Sequence, residues 1–208
     1  MADQPLVHVI DDDEAMRDSL AFLLRSANVP VRTHESAVAF LAALPEVRSG
    51  CIVTDVRMPE VDGLELLRRL KQLGVHLPVI VITGHGDVPL AVEAMRVGAV
   101  DFLEKPFNDD VLLAAVHAAL AREHEESRRH AEKADIVRRA ATLSQRERQV
   151  LEGLVAGKPN KVIAYDLGIS PRTIEIYRAN VMDKMQAASL SELVRMALAA
   201  GLSGSPSP

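Results

Sequence analysis

Five short, nearly unbroken apolar runs punctuate the first 121 positions, near 6–10, 30–33, 51–54, 78–82 and 100–103. Strands that are apolar on both parities are strands buried on both faces, as parallel strands are. The segments between them, near 14–27, 36–44, 63–73, 88–97 and 109–121, instead repeat their apolar residues at the helical period. Strand alternating with helix predicts an α/β fold, a doubly wound five-stranded parallel sheet covered on both sides. Gly74 and Gly98 fall at expected helix ends, and Pro78 opens a strand.

After residue 121 the pattern changes. Residues 122–141 (REHEESRRHAEKADIVRRAA) contain neither Gly nor Pro, and their apolar residues are too sparse for a coiled-coil seam. They predict a solvent-exposed helical linker that continues the fifth helix, braced by i,i+4 charge pairs such as Glu125–Arg129. Four more helical segments follow, near 144–156, 159–167, 171–185 and 189–200. The expected organisation is therefore an α/β domain over 1–121, a linker over 122–141 and an all-α domain over 142–203. The Ser/Pro-rich end, 204–208, is expected to be a disordered tail.

Composition narrows the picture. A 48% hydrophobic share with only 3% aromatic residues predicts aliphatic cores. One cysteine, Cys51, excludes an intramolecular disulfide, fits a reducing cytosol and reads as a small buried strand residue. Without a basic leader, or an apolar run reaching ~18 residues, neither export nor membrane spanning is expected, and the chain reads as cytoplasmic. Residues 1–121 carry 18 acidic and 10 basic side chains, whereas 142–208 carry 6 and 8. Only the C-terminal third has the sign that suits nucleic acid, and the excess is small.

The candidate chemistry sits at the ends of the apolar runs. Asp11 and Asp12 follow the first, Asp55 the third, Thr83 the fourth, and Lys105-Pro106 follows Phe102-Leu103. In an open α/β sheet ligands bind beyond the carboxyl ends of the strands, so groups far apart in sequence meet there. Three carboxylates repel one another unless a cation sits among them, and hard oxygen ligands suit Mg2+. The hydroxyl and the amine suit the oxygens of a phosphoryl group. Asp13 reads instead as a helix cap.

These residues, in this order, resemble the receiver domain of two-component response regulators, which has a flavodoxin-like sheet. The resemblance implies Asp55 as phosphoacceptor and Mg2+ held by Asp12, Asp55, the Arg57 carbonyl and, through water, Asp11. It implies Thr83 and Lys105 as partners of the phosphoryl oxygens, a cis Lys105-Pro106 peptide, and Phe102 as an aromatic switch moving with Thr83. Residues 58–63 (MPEVDG) match the turn after the acceptor. Helix 88–97 would feel the switch, and Val88, Val92 and Met95 with Arg96 beside them form a candidate face for a phosphorylation-dependent homodimer. Arg57 and His85 stand two residues beyond the acceptor and the switch Thr; neither is a carboxamide that would hold an attacking water, so self-dephosphorylation is expected to be slow. A phosphatase of the haloacid dehalogenase type is the enzymatic rival, with Asp11 as nucleophile. Ala15 and the lack of an acidic pair on a later strand count against it.

In the C-terminal third, Ser144 and Glu147 make a capping box, Gly168 lies in a short turn, and Ser170-Pro171 opens the next helix. The stretch from 143 to 185 resembles the LuxR-type helix-turn-helix domain. On the helix from 171, Ile174, Val181 and Met185 project inward, whereas Arg172, Glu175, Ile176 and Ala179 face out. An exposed Ile176 suits a thymine methyl, and Glu175 suits cytosine N4. Thr173, Tyr177, Arg178, Asn180 and Lys184, with Lys161 on the preceding helix, suit phosphate contacts. The whole reads as a transcriptional activator that takes phosphate from a sensor histidine kinase, binds double-stranded DNA and meets RNA polymerase. Stretches 82–89 and 159–184 are most similar to regulators of nitrogen fixation, which implies an oxygen-sensing kinase. A phospho-relay protein with a protein-binding C-terminal domain and a constitutive DNA binder remain as alternatives.

Overall fold

All five runs pair into one parallel sheet, whose inner strands are buried from both sides, whereas the edge strand over 31–34 exposes Arg32 and Thr33. The computed structural model describes residues 5–84 and 88–202, and falls into two units divided between Glu126 and Ser127. His85 and the 204–208 tail lie outside the described residues. The first unit runs β1 (Leu6–Ile10), α1 (Glu14–Ser26), β2 (Val31–His34), α2 (Ala37–Ala43), β3 (Gly50–Asp55), α3 (Gly63–Gln72), β4 (Val79–Thr83), α4 (Val88–Val97) and β5 (Asp101–Glu104), and then enters α5 (Asp109–Ala141). Strand order is β2-β1-β3-β4-β5, so the chain reverses its direction of progress at β1 and β3. That reversal opens a crevice at their carboxyl ends.

Side-chain alternation sorts the sheet into two faces. Ile10, Ile52, Val79 and Val81 pack with Phe40 of α2, Leu66, Leu67 and Leu70 of α3, and Ala94 of α4. Val7, Val9, Cys51, Val53, Ile80 and Ile82 pack with Leu20 and Leu24 of α1 and Leu112 and Val116 of α5. Both cores are aliphatic, as composition predicts. Continued past the strand ends, the same alternation puts Asp11, Asp55 and Lys105 on the α1/α5 side. Thr83 shares the parity of Val81, which pairs with Phe102, on the α4 side.

The second unit contains the end of α5, then α6 (Gln145–Val155), α7 (Asn160–Leu167), α8 (Pro171–Met185) and α9 (Leu190–Ala199). The capping box forms as read, with Ser144 and Glu147 bonding each other's backbone N–H groups. Gly168 turns the chain between α7 and α8 in a left-handed conformation, φ 65°, that a side chain would strain. Ile174, Val181 and Met185 are the buried positions of α8. The stretch expected to be a solvent-exposed linker is helical, but it is not apolar-free on its inner side. Ala140 is buried in the C-terminal core and Ile136 packs against it, one turn apart and one turn before Leu143. The second unit's core therefore begins before residue 142.

A histidine pair interrupts the first core. His8 on β1 and His34 on β2 are almost fully buried, with Nδ1 of one 3.1 Å from Nε2 of the other. The ring of Phe40 packs edge-on against both. Burial, then the charges of His34 and Arg32, push the His8 pKa down to about 4. Burial and Arg32 lower His34 as well. The folded state therefore holds both neutral, while an unfolded chain protonates them below about pH 6.5. The His8 contribution to stability is fully present above that pH and falls as the pH drops towards about 4, by up to ~1.4 kcal/mol per pH unit, and His34 acts in the same direction. Between pH 7.5 and 5.5, amide hydrogen exchange of peptides from β1 and β2, corrected for intrinsic rate, should lose protection in the wild type. A His8→Leu/His34→Leu variant should lose less over the same range.

Candidate functional site

Three strand ends supply the first site. Asp11 leaves β1 directly, and its backbone N–H still reaches the His34 carbonyl of β2 at 3.3 Å. Asp55 is the last residue of β3 and is 9% exposed; Asp11 is 3% exposed. Lys105 follows β5, its backbone N–H held by the Thr83 carbonyl at 2.7 Å, and the Lys105–Pro106 peptide is cis. The Lys105 ammonium lies between the two carboxylates, 2.7 Å from Asp55 Oδ1 and 3.1 Å from Asp11 Oδ2. Each remaining oxygen takes a backbone N–H: Asp55 Oδ2 from Arg57 at 2.6 Å and Asp11 Oδ1 from Asp13 at 2.9 Å.

The electrostatics follow from that crowding. Burial lifts the Asp11 pKa above the usual carboxylate range, opposed by the Asp13 N–H and the Lys105 charge and reinforced by Asp55. Burial alone would depress Lys105, but its hydrogen bond to Asp55 and the charges of Asp11 and Asp55 hold it above the ordinary lysine value. The Lys105 ammonium thus bridges two buried carboxylates. Close approach of α3 completes the pocket wall. A Cβ on Gly63 would lie 2.3 Å from the Asp55 carbonyl oxygen, so only glycine lets α3 start there.

The other expected residues are placed unevenly. Asp12 is exposed beside the pocket, and Asp13 caps α1 through the N–H groups of Ala15 and Met16. Among the described residues no group of three or more His, Cys, Asp or Glu is close enough to hold a metal ion. Thr83 is buried at the end of β4, and Phe102 is half-buried against the α4-side core. Arg57 is exposed. On α4, Val88, Val92 and Met95 are 77%, 43% and 50% exposed, a large apolar content for one short helix, and Arg96 is exposed beside them. Arg17 is a residue that sequence reasoning missed: its Nη1 donates to the Asp11 carbonyl at 2.8 Å. The available signal is its place one turn into a helix capped by Asp13, since helical side chains lean back towards the N-terminus.

The second site is the outer face of α8. Arg172, Glu175, Ile176, Ala179 and Asn180 are exposed, Ile176 at 58%. Thr173, Tyr177 and Arg178 are half-buried; the Thr173 hydroxyl bonds Ser170, and Tyr177 packs on the core. Lys161 on α7 is exposed, and so is Tyr165 one turn later, at 87%. Tyr165 falls outside the Ile163-Leu167 core period, the signal that would have added it to the set. Lys184 departs from expectation. Its ammonium sits 2.7 Å from the carboxylate of buried Glu147 and 3.4 Å from the Thr142 carbonyl.

Comparison with known proteins covers both units. The family model for the response regulator receiver domain matches residues 7–117, and that for bacterial regulatory proteins of the luxR family matches 141–197. The transcriptional regulatory protein FixJ of Azorhizobium caulinodans is 64% identical over 196 residues, spanning 94% of this chain and 93% of that protein. Among solved structures, the response regulator StyR superimposes with a TM-score of 0.84 at 38% identity, over 94% of this chain and 99% of that one. Full-length FixJ from B. japonicum matches at 58% identity and a TM-score of 0.60, over 96% and 98%. Among the described residues no helix is long and apolar enough to cross a membrane. With a receiver unit first, a LuxR-type helix-turn-helix unit second, and relatives aligned along nearly the whole chain, this protein belongs to the DNA-binding response regulators of two-component systems.

Proposed function

We propose that Asp55 accepts a phosphoryl group from a sensor histidine kinase and that the phosphorylated chain activates transcription through α8. The observation that carries this reading is the ammonium of Lys105 bridging the carboxylates of Asp55 and Asp11. It is support for a pocket that holds positive charge between acidic groups, where incoming phosphoryl oxygens need it. In transfer, an Asp55 oxygen attacks phosphorus, the donor P–N bond breaks, and the departing imidazole takes up a proton. Lys105 offsets the charge of the transferred oxygens, and the Thr83 hydroxyl donates to one of them afterwards, drawing α4 and Phe102 along.

Mg2+ keeps several waters and needs only one or two carboxylates, so a pair of aspartates with one backbone carbonyl would suffice where, among the described residues, no cluster of three acidic groups converges. Asp12, Asp55 and the Arg57 carbonyl would hold it, with Asp11 reached through water. Bound there, it would neutralise phosphoryl charge during transfer. Membership of a non-enzymatic regulator family leaves the dehalogenase-type phosphatase reading without support.

Output follows from the exposed face of α8 on double-stranded DNA. Arg172, Glu175, Ile176 and Ala179 form the face turned to base edges, and Arg178, Asn180 and Lys161 hold phosphates, with Tyr165 added to their side. Thr173 and Tyr177 contribute less than their spacing implies, since the Thr173 hydroxyl is bonded to Ser170 and Tyr177 packs on the core. Similarity to FixJ proteins supports nitrogen-fixation promoters as targets, an oxygen-sensing kinase as donor, recruitment of RNA polymerase and a cytoplasmic setting. The apolar Val88–Val92–Met95 face, with Arg96, forms the phosphorylation-dependent homodimer.

Three outcomes test this. With a small phosphodonor and Mg2+, wild type should incorporate acid-labile phosphate and then footprint a promoter; Asp55→Asn should do neither, and Asp12→Asn should incorporate little. Undiminished labelling of Asp55→Asn contradicts the assignment. Sedimentation should show a phospho-dimer in wild type and a monomer in Val92→Asp, and an unchanged dimer would remove α4 from the interface. Slow self-dephosphorylation should quicken several-fold in Arg57→Asn, measured as the half-life of bound phosphate. Equal half-lives would mean that Arg57 simply faces solvent.

A further inference from the structure

Lys184 is the residue whose placement the DNA-reading scheme does not absorb. It lies in the last turn of α8, and its ammonium is bound at 2.7 Å to Glu147, whose side chain is 5% exposed. The same Glu147 oxygen takes the Ser144 N–H at 2.7 Å, so one carboxylate closes the α6 capping box and anchors α8. The Lys184 bond and the Ser144 N–H keep the Glu147 pKa below the usual range, so the carboxylate stays charged. A second link crosses the other way. Arg139 of α5 donates to the carbonyl of Met185, the last residue of α8, at 3.1 Å, and is itself paired with Asp135. Helix-end carbonyls lack intrahelical partners and favour a cation. Both links tie the end of α8 to the corner between α5 and α6, all within the C-terminal unit.

Ile176 stands eight residues before Lys184, roughly 12 Å along the helix at the usual rise. A small tilt at the clamped end therefore displaces the base-facing side chains at the other. We infer that Lys184, Glu147 and Arg139 are positioning residues that set the pose of α8 for base reading, Lys184 acting through Glu147 and not on a phosphate. This rests on α8 being the DNA-reading helix.

Salt dependence separates the two roles of Lys184, because each phosphate contact contributes about 0.9 to the slope of log K against log salt. The probe is a duplex selected by the phosphodonor-treated full-length protein from a randomised 20-base-pair library, with random duplex of equal length as reference. Lys184→Met and Glu147→Gln should each lower affinity for the selected duplex by roughly tenfold, the scale of one charge-assisted hydrogen bond. Random-duplex affinity and the salt slope should not change, the double variant should be no worse than either single one, and Lys184→Arg should recover most of the preference. A slope shallower by about one unit in Lys184→Met, with Glu147→Gln like wild type, would make Lys184 a phosphate contact and overturn the inference. Equal weakening on both duplexes would overturn it too. Should Lys184→Met fail to fold by circular dichroism, Arg139→Gln, which leaves the Lys184–Glu147 pair in place, decides the question: a lowered selected-to-random ratio supports the clamp and an unchanged one refutes it. Ile176→Asp is the control for the underlying reading, since a variant that keeps its preference would remove α8 from DNA without touching the clamp.

Discussion

Asp11 and Asp55 are driven into a nearly dry crevice by the strands that carry them, and two bare carboxylates do not stay there unaided. The ammonium of Lys105 makes the arrangement tolerable, within hydrogen-bonding distance of both. Its position depends in turn on β5 lying beside β4, where the Thr83 carbonyl fixes the Lys105 backbone. The remaining carboxylate oxygens are met by backbone N–H groups of the loops that follow each aspartate, and Arg17 holds the Asp11 carbonyl. Loss of the cation would leave uncompensated buried charge, a far larger penalty than the loss of a surface ion pair. The proposed chemistry uses the same balance: the groups that make the pocket stable are those an incoming phosphoryl group needs.

Parity explains how one sheet serves two purposes. Asp11, Asp55 and Lys105 continue the alternation on the α1/α5 side, whereas Thr83 and Phe102 share the α4 side. Under the proposed reading, charge gathered on one side is sensed by Thr83 at the rim and expressed on the other, where α4 exposes Val88, Val92 and Met95. Glycine matters here at one point above all. Gly63 lets α3 begin against the Asp55 carbonyl, and any side chain would push the acceptor strand and helix apart.

Most of the fold was legible because it depends on local pattern: two-sided apolar strands, helical periods, Ser144 and Ser170 as caps, and Gly168 in the turn. Strand-end aspartates, Thr83 and Lys105 were legible for the same reason, since topology alone brings strand ends together. What escaped depended on partners distant in sequence. Nothing local announces that His8 and His34 meet beneath Phe40, or that the Arg17 guanidinium turns back to Asp11. The pairing of Lys184 was not legible because helical projection gives a direction and not a partner, and Glu147 lies 37 positions away. Ile136 and Ala140 were hidden by the charged residues around them, although their four-residue spacing, extended to Leu143, reads as one buried stripe once the core is seen.

The central claim is that Asp55, and not the more deeply buried Asp11 or the exposed Asp12, carries the phosphoryl group. An acyl phosphate is reduced by borohydride to a primary alcohol, which leaves a permanent mass change at the modified aspartate. Peptide mapping of the full-length protein, treated with phosphodonor and Mg2+ and then reduced, should place that change at residue 55 alone. Its appearance at residue 11 or 12, with residue 55 unmodified, would contradict the account.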